Sequence, residues 1–226
     1  MKTLILSCLI MLATASQHVS AAIISNGSFD DCSFNGWMKD TDGAGDISAS
    51  DDFSIADNGN CAARLQVDGS MTEAFFANTL YQAITLTQGQ SYVLRFDLMV
   101  GSELTSNTDG FIADYFAVAF GDGSGNFLNA DGTAGTLIQA DIDGEASYSV
   151  EVALSDMLTS LQNLTLEFQL LVGADEFGSI DFGSSFMQID NVSVTAVSEP
   201  FSLSLVALSF LGLVGASRHR QSRRAL

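Results

Sequence analysis

Carboxylates dominate the side chains of this chain that could do chemistry. Asp and Glu number 27 against eight Lys and Arg, a net charge of −19 over 226 residues. Neither histidine, His18 or His219, falls between positions 23 and 198. That stretch therefore cannot build a Ser-His-Asp or Cys-His nucleophile, or a histidine-ligated zinc or iron site. It also holds only three basic side chains, Lys39, Arg64 and Arg95, against 26 carboxylates, a net −23. Nucleic-acid binding needs a basic face, and none is available. Carboxylates without imidazole can hold a hard cation or, as a pair about 5–10 Å apart, cleave a glycosidic bond. The segment Asp40-Thr41-Asp42-Gly43-Ala44-Gly45-Asp46 has the spacing of a calcium loop. It lacks the third ligand and closing Glu of an EF-hand, so it reads first as a solvated turn. Asp51 and Asp52 belong to the same loop and share its ambiguity. No catalytic residue is assigned.

The elements that must position these groups alternate apolar and polar residues with period two. Segments 63–67, 80–86, 92–98, 148–152, 164–172 and 186–194 all show it, and Tyr115 to Phe120 is more uniformly apolar. Turn signals separate them at Gly89, 121–126, Asp131-Gly132 and Asp143-Gly144. Eight or nine short strands at this spacing predict an all-β fold, a single antiparallel β-sandwich over residues 23–196. One helical turn is expected within Ser155 to Leu161. Cys32 and Cys61 are the only cysteines of this domain, and in an oxidising compartment they are expected to form a disulfide. Residues 33–60 between them are rich in Asp, Gly, Ser and Asn and have little to bury.

Both ends read as addresses. Residues 1–22 have the Lys2 charge, the apolar Leu4 to Ala13 core and the small-residue cleavage site of a secretory signal peptide. At the other end, 201–217 is an uncharged run directly followed by 218–226, which carries Arg218, Arg220, Arg223 and Arg224. Its 17 positions reach about 26 Å as a helix, the short end of what spans a membrane. The arginines orient it with the C-terminus cytoplasmic and the acidic body outside. Val197, Ser198, Glu199 and Pro200 stand just before it. This order resembles the PEP-CTERM sorting signal of exopolysaccharide-producing Gram-negative bacteria, with Ser198 in place of the usual first proline. The resemblance implies handling by an exosortase-type membrane protease; a plain membrane anchor is the alternative.

Within the domain, Asn26-Gly27-Ser28-Phe29-Asp30 followed by Gly36-Trp37 resembles the opening of galactose-binding-like carbohydrate-binding modules. Leu80 to Leu86, Gly89 and Tyr92 to Phe96 resemble a strand pair of that group, and Ile189 to Val194 its last strand. The resemblance implies that the sandwich is a jelly roll, with neighbouring first and last strands joined by a structural calcium, Asp30 and Asp190 as carboxylate ligands and backbone carbonyls completing the shell. It also places Trp37 in the core. Tyr92, in an apolar register, is read as buried too. Tyr81, Tyr115 and Tyr148 are the candidate sugar platforms, and Gln82 and Arg95 the candidate readers of hydroxyls.

The expected function is therefore a non-catalytic exported protein that binds polysaccharide or exopolymer at the cell surface or in the extracellular matrix. The alternative is a purely structural or adhesive envelope protein that uses calcium without reading a sugar. A hydrolase is the third reading.

Overall fold

The computed structural model describes residues 23–42, 46–50, 52–57, 59–66, 77–102, 115–141, 144–171 and 185–197. The signal peptide, the calcium-loop residues 43–45 and the sorting segment from 198 onward lie outside these residues. Among the described residues no helix is long and apolar enough to cross a membrane.

The chain is all-β, two antiparallel sheets packed face to face. In chain order the strands are β1 (Met38–Asp42), β2 (Phe53–Asp57), β3 (Cys61–Gln66), β4 (Ala77–Ala83), β5 (Ser91–Ser102), β6 (Tyr115–Gly121), β7 (Phe127–Leu128), β8 (Ile138–Asp141), β9 (Gly144–Leu154), β10 (Thr165–Leu171) and β11 (Phe186–Val197). One sheet runs β1-β4-β10-β6-β7, with β8 also paired to β6. The other runs β2-β3-β11-β5-β9. From β4 to β6, and again from β9 to β11, the chain crosses between sheets at each connection, the winding of a jelly roll. A 3₁₀ turn at Leu158–Ser160 fills the expected helical position.

The alternation seen in the sequence decides which residues enter the core. Leu94, Phe96, Leu98 and Val100 of β5 are buried while Arg95 points to solvent, and Leu166, Phe168 and Leu170 do the same on β10. The aromatic core crosses both layers. Phe29 stacks on Trp37 at 5.5 Å between ring centres, Trp37 meets Phe168 edge-on at 5.9 Å, and Phe168 meets Phe96 at 5.4 Å. Rings at these separations favour offset or edge-to-face contact, so each adds to the burial of its neighbour. Tyr92 is buried as expected, its hydroxyl accepting from the Thr87 amide at 2.9 Å.

The eleven strands among the described residues exceed the eight or nine expected, mainly because residues 33–60 contain β1 and β2. Their signal is short: Phe53 and Ile55 alternate inward with Ser54 and Ala56 between them. Phe53 is 3% exposed, so this acidic stretch does bury apolar surface. The Cys32–Cys61 disulfide is present and ties the opening segment to the start of β3.

Candidate functional site

The opening segment explains its own motif. Gly27 lies so close to β11 that a Cβ there would collide with the Val192 carbonyl, and its own carbonyl accepts the Val192 amide at 2.8 Å. Phe29 and Trp37 fill the core, and the Trp37 indole donates to the Asn26 carbonyl at 3.0 Å. First and last segments therefore lie side by side. On β11 a bulge marks the junction: Met187 and Ile189 are buried, then Val192 and Val194, with Asn191 at φ 53° taking up the extra residue.

That bulge turns Asp190 outward beside Asp30 and Asp97. Asp190 Oδ2 accepts from Asn60 Nδ2 at 2.7 Å and Oδ1 from the Asn191 amide at 2.7 Å. Asp97 accepts from Ser149 Oγ at 2.7 Å and Asn191 Nδ2 at 2.8 Å, and Asp30 from Ser28 Oγ at 2.7 Å. Burial holds the Asp190 carboxyl above its ordinary value against the pull of these hydrogen bonds, and the charges of Asp97 and Asp30 push the same way. A groove of about 450 Å³ opens here between β5, β9 and β11, lined by Asp97, Met99, Ser147, Ser149, Gln188 and Asp190 among others. The donors are oxygens only, which suits a calcium-class ion. Among the described residues no three His, Cys, Asp or Glu side chains converge on one point. A cation at Asp190 would therefore need backbone carbonyls as well.

The five residues expected to read a sugar separate into three places. Tyr81 and Tyr115 lie half-buried on the outer face of the six-stranded sheet. Arg95 is on the outer face of the other sheet, its Nε 3.0 Å from Glu151 Oε2. Tyr148 packs against the core from β9 and also borders the groove at Asp97 and Asp190. Gln82 is buried and fully engaged, accepting from the Ser25 amide at 2.7 Å and donating to the Ser25 carbonyl at 3.0 Å. It anchors the opening segment.

Around Tyr81 and Tyr115 the register assembles side chains that sequence reasoning missed. Tyr81 pairs with Glu167, and Glu167 with Ala119; Thr79 pairs with Gln169, and Gln169 with Ala117. Met38 and Asp40 of β1 extend these two rows. Gln169 Nε2 donates to Thr79 Oγ1 at 3.2 Å, and Thr165 Oγ1 donates to Glu167 Oε1 at 2.5 Å. Gly121 has no side chain because Glu167 and Thr165 lie over it. The result is a buried row of Ala117, Ala119 and Gly121, the two alanines only 1% and 2% exposed, with half-buried polar side chains above it and a tyrosine on each side. By strand spacing and rise the two tyrosines stand roughly 16 Å apart on the diagonal. Their outward parity is legible in Leu164 to Val172, but which strand lies beside which is not.

No family model matches this chain. No curated protein matches it either. Among solved structures it is similar to a family 61 carbohydrate-binding module in complex with β-1,4-galactotriose, at 13% identity and a TM-score of 0.44, over 79% of this chain and all of that one. It is also similar to a family 27 module that recognises mannan, at 15% identity and 0.39, over 79% and 95%. A third is the K1 cleaved adhesin domain of Lys-gingipain from Porphyromonas gingivalis W83, at 13% and 0.44, over 76% and 96%. Likeness at this level does not place the chain in any of their families.

Proposed function

We propose that the protein is a non-catalytic, exported surface or matrix protein that binds polysaccharide on the outer face of its six-stranded sheet. The observation that carries this is the β4-β10-β6 register, which sets Tyr81 and Tyr115 on either side of a buried Ala/Gly row with Glu167 and Gln169 above it. Tyrosine rings present flat apolar faces to the C–H faces of a pyranose, with their hydroxyls still free to hydrogen-bond. Gln169 and Glu167, both half-buried, supply the donors and acceptors that read hydroxyls.

Calcium belongs to this reading as a fastener. Asp30 and Asp190, with nearby carbonyls, would hold it, and the ion would supply positive charge between carboxylates that otherwise repel. The sorting segment belongs to it as well: cleavage near Ser198-Glu199-Pro200 by an exosortase-type protease would release the acidic domain from the inner membrane of a Gram-negative cell. A purely adhesive role, with calcium bridging acidic surfaces, is favoured instead by the Asp97–Asp190 groove, which lies on the opposite sheet from Tyr81 and Tyr115.

The test is retention on a panel of polysaccharides that includes the organism's own matrix. Tyr81→Ala with Tyr115→Ala should weaken retention by about tenfold or more. Arg95→Ala should leave it unchanged. Equal retention of the double variant, or no retention of the parent on any polymer, overturns the assignment.

A further inference from the structure

At the far end of β3 from the disulfide, a carboxylate is buried without a counter-ion. Asp52, just before β2, is 0% exposed. Among the described residues the only ion pair is Arg95 with Glu151. Lys39 approaches this corner, but its ammonium lies 4.0 Å over the Phe34 ring and donates to the Ile47 carbonyl at 3.4 Å. Among the described residues the Asp52 carboxylate accepts two neutral hydrogen bonds, from the Asp46 amide at 2.6 Å and from Asn78 Nδ2 at 3.1 Å. An ionised carboxylate has about four acceptor sites. Burying a carboxylate charge is strongly unfavourable unless something positive joins it.

Two more buried oxygens lie on the neighbouring residues. Asn78 is 0% exposed, and its Oδ1 has no hydrogen-bond partner. Thr41, its register partner on β1, has a buried Oγ1 that also has none. Asn78 Nδ2 further donates to the Gln66 carbonyl at 3.1 Å. The two ends of an amide are told apart only by their partners. A half-turn of this amide would bring its oxygen beside both the Asp52 carboxylate and the Gln66 carbonyl. Oxygens about 3 Å apart are what a calcium ion with ligands at 2.3–2.6 Å gathers around itself.

We propose that this corner is a second cation site of the calcium class, held by Asp52 Oδ1, Asn78 Oδ1, Thr41 Oγ1 and the Gln66 carbonyl, with water completing the shell. It is separate from Asp30 and Asp190, which lie near the other end of β3. Its ligands come from β1 and β4 of one sheet, and from β3 and the start of β2 of the other. The ion joins the two layers where no covalent bond does.

The experiment is calorimetric titration of chelator-stripped protein with calcium, and with magnesium as control, alongside melting curves. The Asp190→Ala variant should keep one calcium per chain, and adding Asp52→Asn should remove it. Asn78→Asp puts a second carboxylate in the same shape. It should melt below the parent in chelator, regain or exceed it in calcium, and bind calcium about tenfold more tightly, because affinity follows ligand charge. Thr41→Val removes an unpartnered hydroxyl. It should melt no lower than the parent in chelator, yet lose part of the calcium-induced rise. If Asp52→Asn does not fold, the other two variants carry the test. Asn78→Asp equally destabilised with and without calcium, or no saturable calcium heat in the Asp190→Ala protein, overturns the site and leaves these oxygens to water alone.

Discussion

Opening the Cys32–Cys61 bridge tests how the acidic opening third of the domain is held. The cysteines are 29 residues apart in sequence with Cα atoms at 5.3 Å. Releasing a closed loop of that length returns about 12 cal/mol/K of chain entropy to the unfolded state, about 3.6 kcal/mol at 25 °C. In a domain of this size each kcal/mol moves the melting point by about 2–4 °C, so a fall of about 7–14 °C is expected. Cys61 is buried, so alanine is the replacement that adds no polar group to the core. The assay is denaturant unfolding of Cys32→Ala/Cys61→Ala followed by Trp37 fluorescence. Trp37 is the only tryptophan and is 7% exposed, packed on Phe29 within the loop's reach. The denaturant dependence should steepen as well, since the reduced unfolded chain is less compact. A loss below about 1 kcal/mol with an unchanged slope would refute the entropic account. It would mean that β1, β2 and the core aromatics order residues 33–60 without help.

Gly27→Ala should cost about 3 kcal/mol in chemical unfolding, because its Cβ must displace the Val192 carbonyl and strain the bond between first and last segments. Gln82→Leu should cost about 2–4 kcal/mol by stranding the Ser25 amide and carbonyl, while polysaccharide retention of the folded variant stays at the parent level. Asp190→Asn should have a pH-dependent effect in chelator. The folded protein binds the Asp190 proton more tightly than the unfolded chain does, so ionisation lowers stability as pH rises from the ordinary value of 3.8 through the raised one. Unfolding across that range should show the variant more stable than the parent above the window and equal below it. Calcium should reverse the order at neutral pH.

The architecture was legible where side chains alternate over five or more residues, because burial of one sheet face enforces that pattern. The stretch holding β1 and β2 was not, since its strands are only five residues long and their apolar signal rests on Phe53 and Ile55. The disulfide followed from the two cysteines of the domain and the expectation of an oxidising compartment. The aromatic candidates were legible as types but not as a set. Tyr148 and Gln82 sit on inward positions, and whether an inward glutamine faces a ligand or a backbone depends on what crosses beneath it. Here Ser25 does. Glu167 and Gln169 join Tyr81 only because β10 lies between β4 and β6, a pairing between segments more than 80 residues apart in sequence. The unpartnered oxygens at Asn78 and Thr41 are a fact of packing that no local pattern announces.

β11 occupies the middle of the five-stranded sheet, between β3 and β5, yet it is the last strand of the domain in sequence. Until Phe186–Val197 is available, β2-β3 and β5-β9 can exist only as two hairpin-like pairs, each with an open edge and no partner across the gap. Gly27 and the segment around it wait for the same strand, through Val192. The order of synthesis is therefore the reverse of the order of need, and closure of the long-range contacts comes late. Such a topology delays its own collapse: the final strand acts as a latch that closes only after everything ahead of it has been made.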